Sequence, residues 1–170
     1  MAPLAERLAG KDLLIDSNLL VLLVVGLVRP ESVGGKRLEK YTLPHFETLC
    51  QTIVSAGRVI LTPHVLAETS NLVKMALYGE PQREALAVLM LDELPFGDEN
   101  SRQAKVVMER HVPKISLSLE IVNRPGIADA GLLSAAMTER HVLVTDDADL
   151  YWGALSQGSA AENFNHVWNE

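Results

Sequence analysis

The sequence predicts an α/β fold: a central, mainly parallel sheet covered by helices on both faces, a three-layer α/β/α sandwich. Short apolar runs alternate along the chain with longer stretches of helical period, and strands separated by helices pair in parallel. The confident apolar runs stop at acidic or hydroxyl residues, the sheet edge where ligands bind in such folds. The length of 170 residues suits a single domain spanning residues 1–170, because a domain usually takes ~100–200 residues.

Residues 12–16 read as a short buried strand, apolar and then abruptly acidic at Asp16. An apolar helix follows over residues 19–28, with Ser17 or Asn18 as its cap. Residues 30–37 carry Pro30, Ser32, Gly34 and Gly35 and read as a loop. Residues 41–56 show helical spacing at Leu43, Phe46, Leu49, Ile53 and Val54, and Gly57 breaks that helix. Residues 58–61 are strand-like, with β-branched Val59 and Ile60. Thr62 and Pro63 form a helix start, cap and first helical residue, and that helix is expected to reach about Leu77 and end at Gly79.

A further helix is expected over residues 81–94, closed by Pro95, Phe96 and Gly97, and a more polar one over residues 100–111. Residues 115–122 fit either a strand or a helix, and residues 123–126 form a turn. Residues 127–140 are helical, residues 141–145 a strand, and Asp146 opens the loop after it. Residues 164–168 are expected as a last edge strand.

The composition is globular, 48% hydrophobic and 22% charged, which argues against a disordered chain. The single cysteine, Cys50, forms neither an internal disulfide nor a thiolate zinc site, and its apolar surroundings suggest a buried small side chain. One thiol fits a reducing compartment, so a cytoplasmic location is expected. The longest apolar run, residues 19–28, falls short of the ~20 residues of a spanning helix, and Arg29-Pro30-Glu31 makes a poor cleavage site; neither membrane insertion nor export is expected. The net charge of −7 argues on its face against a phosphate-rich partner.

That charge has another reading. Asp16, Glu68, Asp129 and Asp147 fall at positions that a doubly wound sheet brings to one edge. Crowded carboxylates repel one another and burial raises their pKa, so such a set commonly exists to hold hard divalent cations. Oxygen-only donors suit Mg²⁺ or Mn²⁺, and such ions promote hydrolysis of phosphodiesters. Each acid alone also fits a structural role as a cap or first-turn residue. An Asp in an otherwise apolar run, as at Asp16, is costly unless it is paired or ligates metal. With four acids engaged by cations, −7 becomes −3.

Four motifs in order, Ile15-Asp16-Ser17-Asn18, Thr62-Pro63-His64-Val65-Leu66-Ala67-Glu68, Ala128-Asp129-Ala130 and Val144-Thr145-Asp146-Asp147-Ala148-Asp149-Leu150, resemble the PIN domain family. The resemblance covers about residues 12–167. It implies a nuclease, usually acting on RNA, with Mg²⁺ or Mn²⁺ in a compact sandwich; many bacterial members are toxins held by a cognate antitoxin. Carried over by position, Asp16, Glu68, Asp129 and Asp147 would be the catalytic, metal-binding acids, with Asp146 as a substitute or supplement for Asp147. Thr145 and Asn18 would be supporting residues, and Asp149 a turn or cap residue. The chain is longer than compact toxin members, with the extra length between the first helix and second strand and between Gly79 and Arg124.

Lys36, Arg37 and Lys40 make the densest basic cluster; Lys36 and Arg37 are the candidate RNA contacts, and Arg124 and Arg140 weaker ones. Trp152 and Trp168 are expected in core or interface packing, with base stacking as the alternative. The Leu- and Met-rich stretch of residues 86–94 suits the core, or a face for a homodimer or an antitoxin. The chain lacks a phosphate-binding loop, a dinucleotide fingerprint, a nucleophile elbow and an EF-hand, and His64 with Glu68 lacks the rest of a zinc helix motif. The expected function is a metal-dependent endoribonuclease; the alternative is a non-catalytic PIN-like module that binds RNA or protein.

Overall fold

Three consecutive apolar residues build the centre of the sheet. In the computed structural model, which describes residues 2–90, 93–94, 102–106, 126–138 and 141–168, Leu13, Leu14 and Ile15 of strand β1 (Asp12–Ile15) are all fully buried. Successive strand residues point to opposite faces. Burial of every one therefore means that both faces are covered, as a parallel sheet requires. Strands β2 (Arg58–Leu61) and β5 (Val142–Thr145) flank β1 and repeat the pattern. Leu13 pairs with Val59 and Val142, and Leu14 with Ile60 and Leu143.

The sheet runs β3-β4-β2-β1-β5-β6, with β3 at Glu93–Leu94, β4 at Arg102–Val106 and β6 at Ala161–Asn163. All neighbours pair in parallel except β3, which is antiparallel to β4. From β1 the chain moves outward through β2 to β4, then returns past β1 to β5 and β6. The direction of winding thus reverses between β1 and β5. Right-handed crossovers on either side of such a reversal place helices on opposite faces, compatible with a three-layer sandwich.

Helix α2 (Ser17–Val28) enters directly from β1. It is apolar on all sides, with Leu19 to Gly26 buried, because other helices surround it. It packs on α3 (Leu43–Ser55), α4 (Pro63–Ala76) and α5 (Gly79–Val88). A Cβ at Gly26 would collide with the ring of Phe46, so glycine lets α3 approach closely. Helix α6 (Ile127–Thr138) packs on α4 and on α7 (Ala148–Ser156), which lies against β5 and β6. Among the described residues no helix is long and apolar enough to cross a membrane.

Several boundaries differ from the sequence reading. Asp16 itself caps α2, in place of Ser17 or Asn18. Gly79, at φ +68°, starts α5 at once, and that helix ends at Val88. Residues 102–106, expected in a helix, form β4. Ala104 and Val106 alternate there with Gln103 and Lys105, a period of two that pairing with β2 selects. The last strand lies at Ala161–Asn163, and Phe164–Trp168 is a 3₁₀ turn that buries Phe164. The short helix α1 (Leu4–Arg7) had no periodic signal. The expected segments at 95–97, 115–122 and 123–125, and the candidates Arg124 and Arg140, lie outside the described residues.

Candidate functional site

The carboxyl ends of β1 and β5 meet where the winding reverses, and Asp16 stands there. Its backbone N–H donates to the Val144 carbonyl at 3.3 Å, extending the strand pairing by one residue. Its side chain, 3% exposed, turns inward. Oδ1 accepts from the Leu19 N–H at 2.8 Å, which caps α2. Oδ2 accepts from the Thr145 hydroxyl at 2.5 Å and the Asp146 N–H at 3.1 Å. Burial pushes the Asp16 carboxyl up to about 7, and the neighbouring Asp146 charge adds to the rise against the pull of these three donors.

Asp146 forms the inner pair with Asp16. Its side chain is fully enclosed. Oδ2 meets the Lys40 ammonium and accepts from the Tyr41 phenol, and Oδ1 makes a long 3.4 Å contact with the Asn18 amide. Its carbonyl accepts from Asn165 Nδ2 at 2.6 Å. Tyr41 is held well above the ordinary phenol range, first by burial and then by the Asp146 charge and hydrogen bond, so it is a donor here. Lys40 and Tyr41 arrive on a segment in which Arg37 adopts a left-handed backbone at φ +74°, rare for a side chain of this size. Arg37 Nη2 in turn donates to Asn18 Oδ1 at 3.2 Å.

The other acids face outward. Glu68, exposed on the second turn of α4, accepts from the Ser17 hydroxyl at 2.6 Å. Asp147 is exposed and caps α7 through its bond from Leu150 N–H at 2.9 Å. Its own N–H donates to Thr145 Oγ1 at 3.0 Å, so one hydroxyl joins the inner and outer acids. Asp129, half-buried in the first turn of α6, accepts from Gly126 N–H at 3.2 Å. Burial raises its pKa most, and the charges of Asp147 and Glu68 raise it further. Acids from β5–α7, α4 and α6 therefore share one electrostatic field.

The expected acids thus sort into an inner pair, Asp16 and Asp146, satisfied by protein donors, and an outer trio, Glu68, Asp129 and Asp147. Of the expected supporting residues, Thr145 connects Asp16 to Asp147, whereas Asn18 links Asp146 to Arg37. Lys36 does not join the group: its ammonium lies 3.2 Å from the Tyr78 hydroxyl. Asp149 sits in the first turn of α7, a favourable place for a carboxylate. Cys50 is half-buried, with its thiol raised to about 12 by burial and the Glu47 charge. Ser17, Lys40, Tyr41 and Asn165 are participants the motifs did not single out; Lys40 had been noted only as part of the basic cluster.

Among the described residues no group of three or more His, Cys, Asp or Glu side chains stands in ligating geometry. The donor chemistry nevertheless fits a hard divalent ion. The outer trio offers only carboxylate oxygens, and Asp129 is raised first by burial and then by the charges of Asp147 and Glu68. Mg²⁺ is commonly held by one or two carboxylates, with waters and substrate phosphates completing its shell. Comparison with protein-family models, with curated proteins and with solved structures gives no significant match.

Proposed function

We propose that the protein is a PIN-like, metal-dependent ribonuclease. The carrying observation is that acids from four separate elements gather at the carboxyl edge beside the winding reversal, where doubly wound sheets bind ligands. In this reading Asp16, Glu68, Asp129 and Asp147 form the set that holds Mg²⁺ or Mn²⁺, with the buried Asp16 behind the other three. Such an ion, when bound, lowers the pKa of water and neutralises charge on phosphodiester oxygens.

The chain's own residues supply position. The Ser17 hydroxyl orients Glu68, and the Thr145 hydroxyl ties the Asp147 backbone to Asp16. Asp146 is a clamp: with Lys40, Tyr41 and Asn18 around its carboxylate, it fastens the segment carrying Arg37 to the sheet edge. That assignment leaves Asp147 as the ligand of the pair. Arg37 stands at the rim as the phosphate contact.

The test is incubation of labelled single-stranded RNA with purified protein in Mn²⁺, in Mg²⁺ and in excess chelator, beside Asp16→Asn. Cleavage that needs both metal and Asp16 is the expected result. Cleavage at the wild-type rate by folded Asp16→Asn would remove the metal assignment. A second reading, a non-catalytic binding module, is favoured by the saturation of Asp16 and Asp146 with protein donors. RNA bound but left intact in every metal condition would select it.

A further inference from the structure

Trp152 is 63% exposed on α7, although tryptophan is highly buried on average and was expected to pack in a core or interface. Tyr151 beside it is half-buried, with ring centroids 5.1 Å apart and planes at 65°. His166, exposed on the 3₁₀ turn after β6, meets Tyr151 edge-on at 5.6 Å and 80°. Both contacts are edge-to-face, so neither is a parallel stack on the Trp152 ring.

The trio is anchored to the acidic site from two sides. Tyr151 and Trp152 follow Asp147, which caps their helix. His166 follows Asn165, whose amide holds the Asp146 carbonyl. The Asp146 carboxylate meets the half-exposed Lys40 ammonium at Oδ2 and Asn18 at Oδ1, and Asn18 in turn accepts from Arg37. Arg37 and Lys40 on the one hand, and the α7 and 3₁₀-turn residues that carry the rings on the other, are thus both tied to Asp146 and its neighbour Asp147. Single-stranded nucleic acid has the complementary form: charged phosphates along one edge and unpaired π-faces along the other. A duplex keeps its bases stacked inside and has no face to offer.

We propose that Tyr151, Trp152 and His166 form a stacking shelf for unpaired bases of single-stranded RNA whose backbone crosses the acidic site toward Arg37. The proposal rests on the nuclease reading for the identity of the ligand, yet it requires no cleavage. Trp152 is the main stacking ring; Tyr151 meets it edge-on, and His166 meets Tyr151 in turn.

The test is RNA binding in excess chelator, so that chemistry is silent. With Trp168→Phe as background, Trp152 emission is followed as single-stranded RNA is added, and affinity is measured with fluorescein-labelled RNA for Trp152→Leu and Trp152→Phe. Single-stranded RNA is expected to quench Trp152. Trp152→Leu should weaken binding by about fivefold or more, the lower end of one stacked base's contribution, and Trp152→Phe should retain most of it. Equal affinity of wild type and Trp152→Leu would overturn the shelf, as would equal competition by duplex RNA or absence of binding. A change in sedimentation of Trp152→Leu with unchanged RNA affinity would make Trp152 a contact between copies of the chain and likewise overturn it. Metal-dependent cleavage by the same proteins is scored separately. Cleavage with an unchanged Trp152→Leu affinity removes the shelf alone; a stacking effect without cleavage removes the nuclease alone.

Discussion

The Thr145 hydroxyl donates to Asp16 and accepts from the Asp147 N–H, so one small group serves two acids. Thr145→Val keeps the shape and removes both bonds, leaving a buried carboxylate oxygen one donor short. A loss of ~1–3 kcal/mol in urea denaturation is expected, with Thr145→Ser close to wild type. Asp16 predicts a pH effect. Its carboxyl titrates near 3.8 unfolded but is pushed up to about 7 in the fold. Between those values the folded chain binds more protons than the unfolded one, so stability falls as pH rises from about 4 to about 7 and levels off above. Asp16→Asn should flatten that slope, measured as the difference between the two proteins' unfolding free energies across the range. An unchanged slope would assign the rise to other groups. Asp16 stood out in the sequence as an Asp at the end of an apolar run, whereas Glu68 and Asp129 were candidates only through their place in the expected strand–helix order and the motif resemblance. Tyr41 was not legible as the partner of Asp146, since 105 residues separate them and only the folded segment brings them together.

At the scale of elements, α2 and α3 meet closely at Gly26. Gly26→Ala places a methyl group against the Phe46 ring, and a destabilisation of ~1–3 kcal/mol is expected, read as a lowered denaturant midpoint. Tolerance of alanine there would mean that the ring moves aside freely. The strands β1, β2 and β5 were legible because strands buried on both faces read as continuous apolar runs. The helix start at Thr62-Pro63 was legible for a different reason, cap chemistry at adjacent positions. β4 escaped because its five residues are mostly polar and owe their state to the neighbouring strand. β6 escaped likewise: Ala161-Glu162-Asn163 has low strand propensity, and its pairing with β5 decides its conformation.

At the scale of the whole molecule, the sheet order turns sequence-distant acids into neighbours. Asp16 and the Asp146–Asp147 pair lie about 130 residues apart, yet β1 and β5 are adjacent strands. The alternation of strands and helices made that edge legible, whereas the division into an inner clamped pair and an outer trio depended on side-chain directions that no spacing encodes. The net charge of −7 has the same origin in part: four of the 22 acids that count against RNA in the sum are those proposed to hold cations.

The most direct measurement is a calorimetric titration of the purified protein with Mn²⁺, run in parallel on Asp147→Asn and Asp146→Asn. Both variants keep a side chain of nearly the same size, and Asn is as good a helix cap as Asp at position 147. Saturable Mn²⁺ binding by the wild type, weakened about tenfold or more in Asp147→Asn and largely kept in folded Asp146→Asn, is the predicted result. No Mn²⁺ binding by the wild type, or binding indifferent to Asp147, would contradict the metal site and leave the carboxylates as elements of structure.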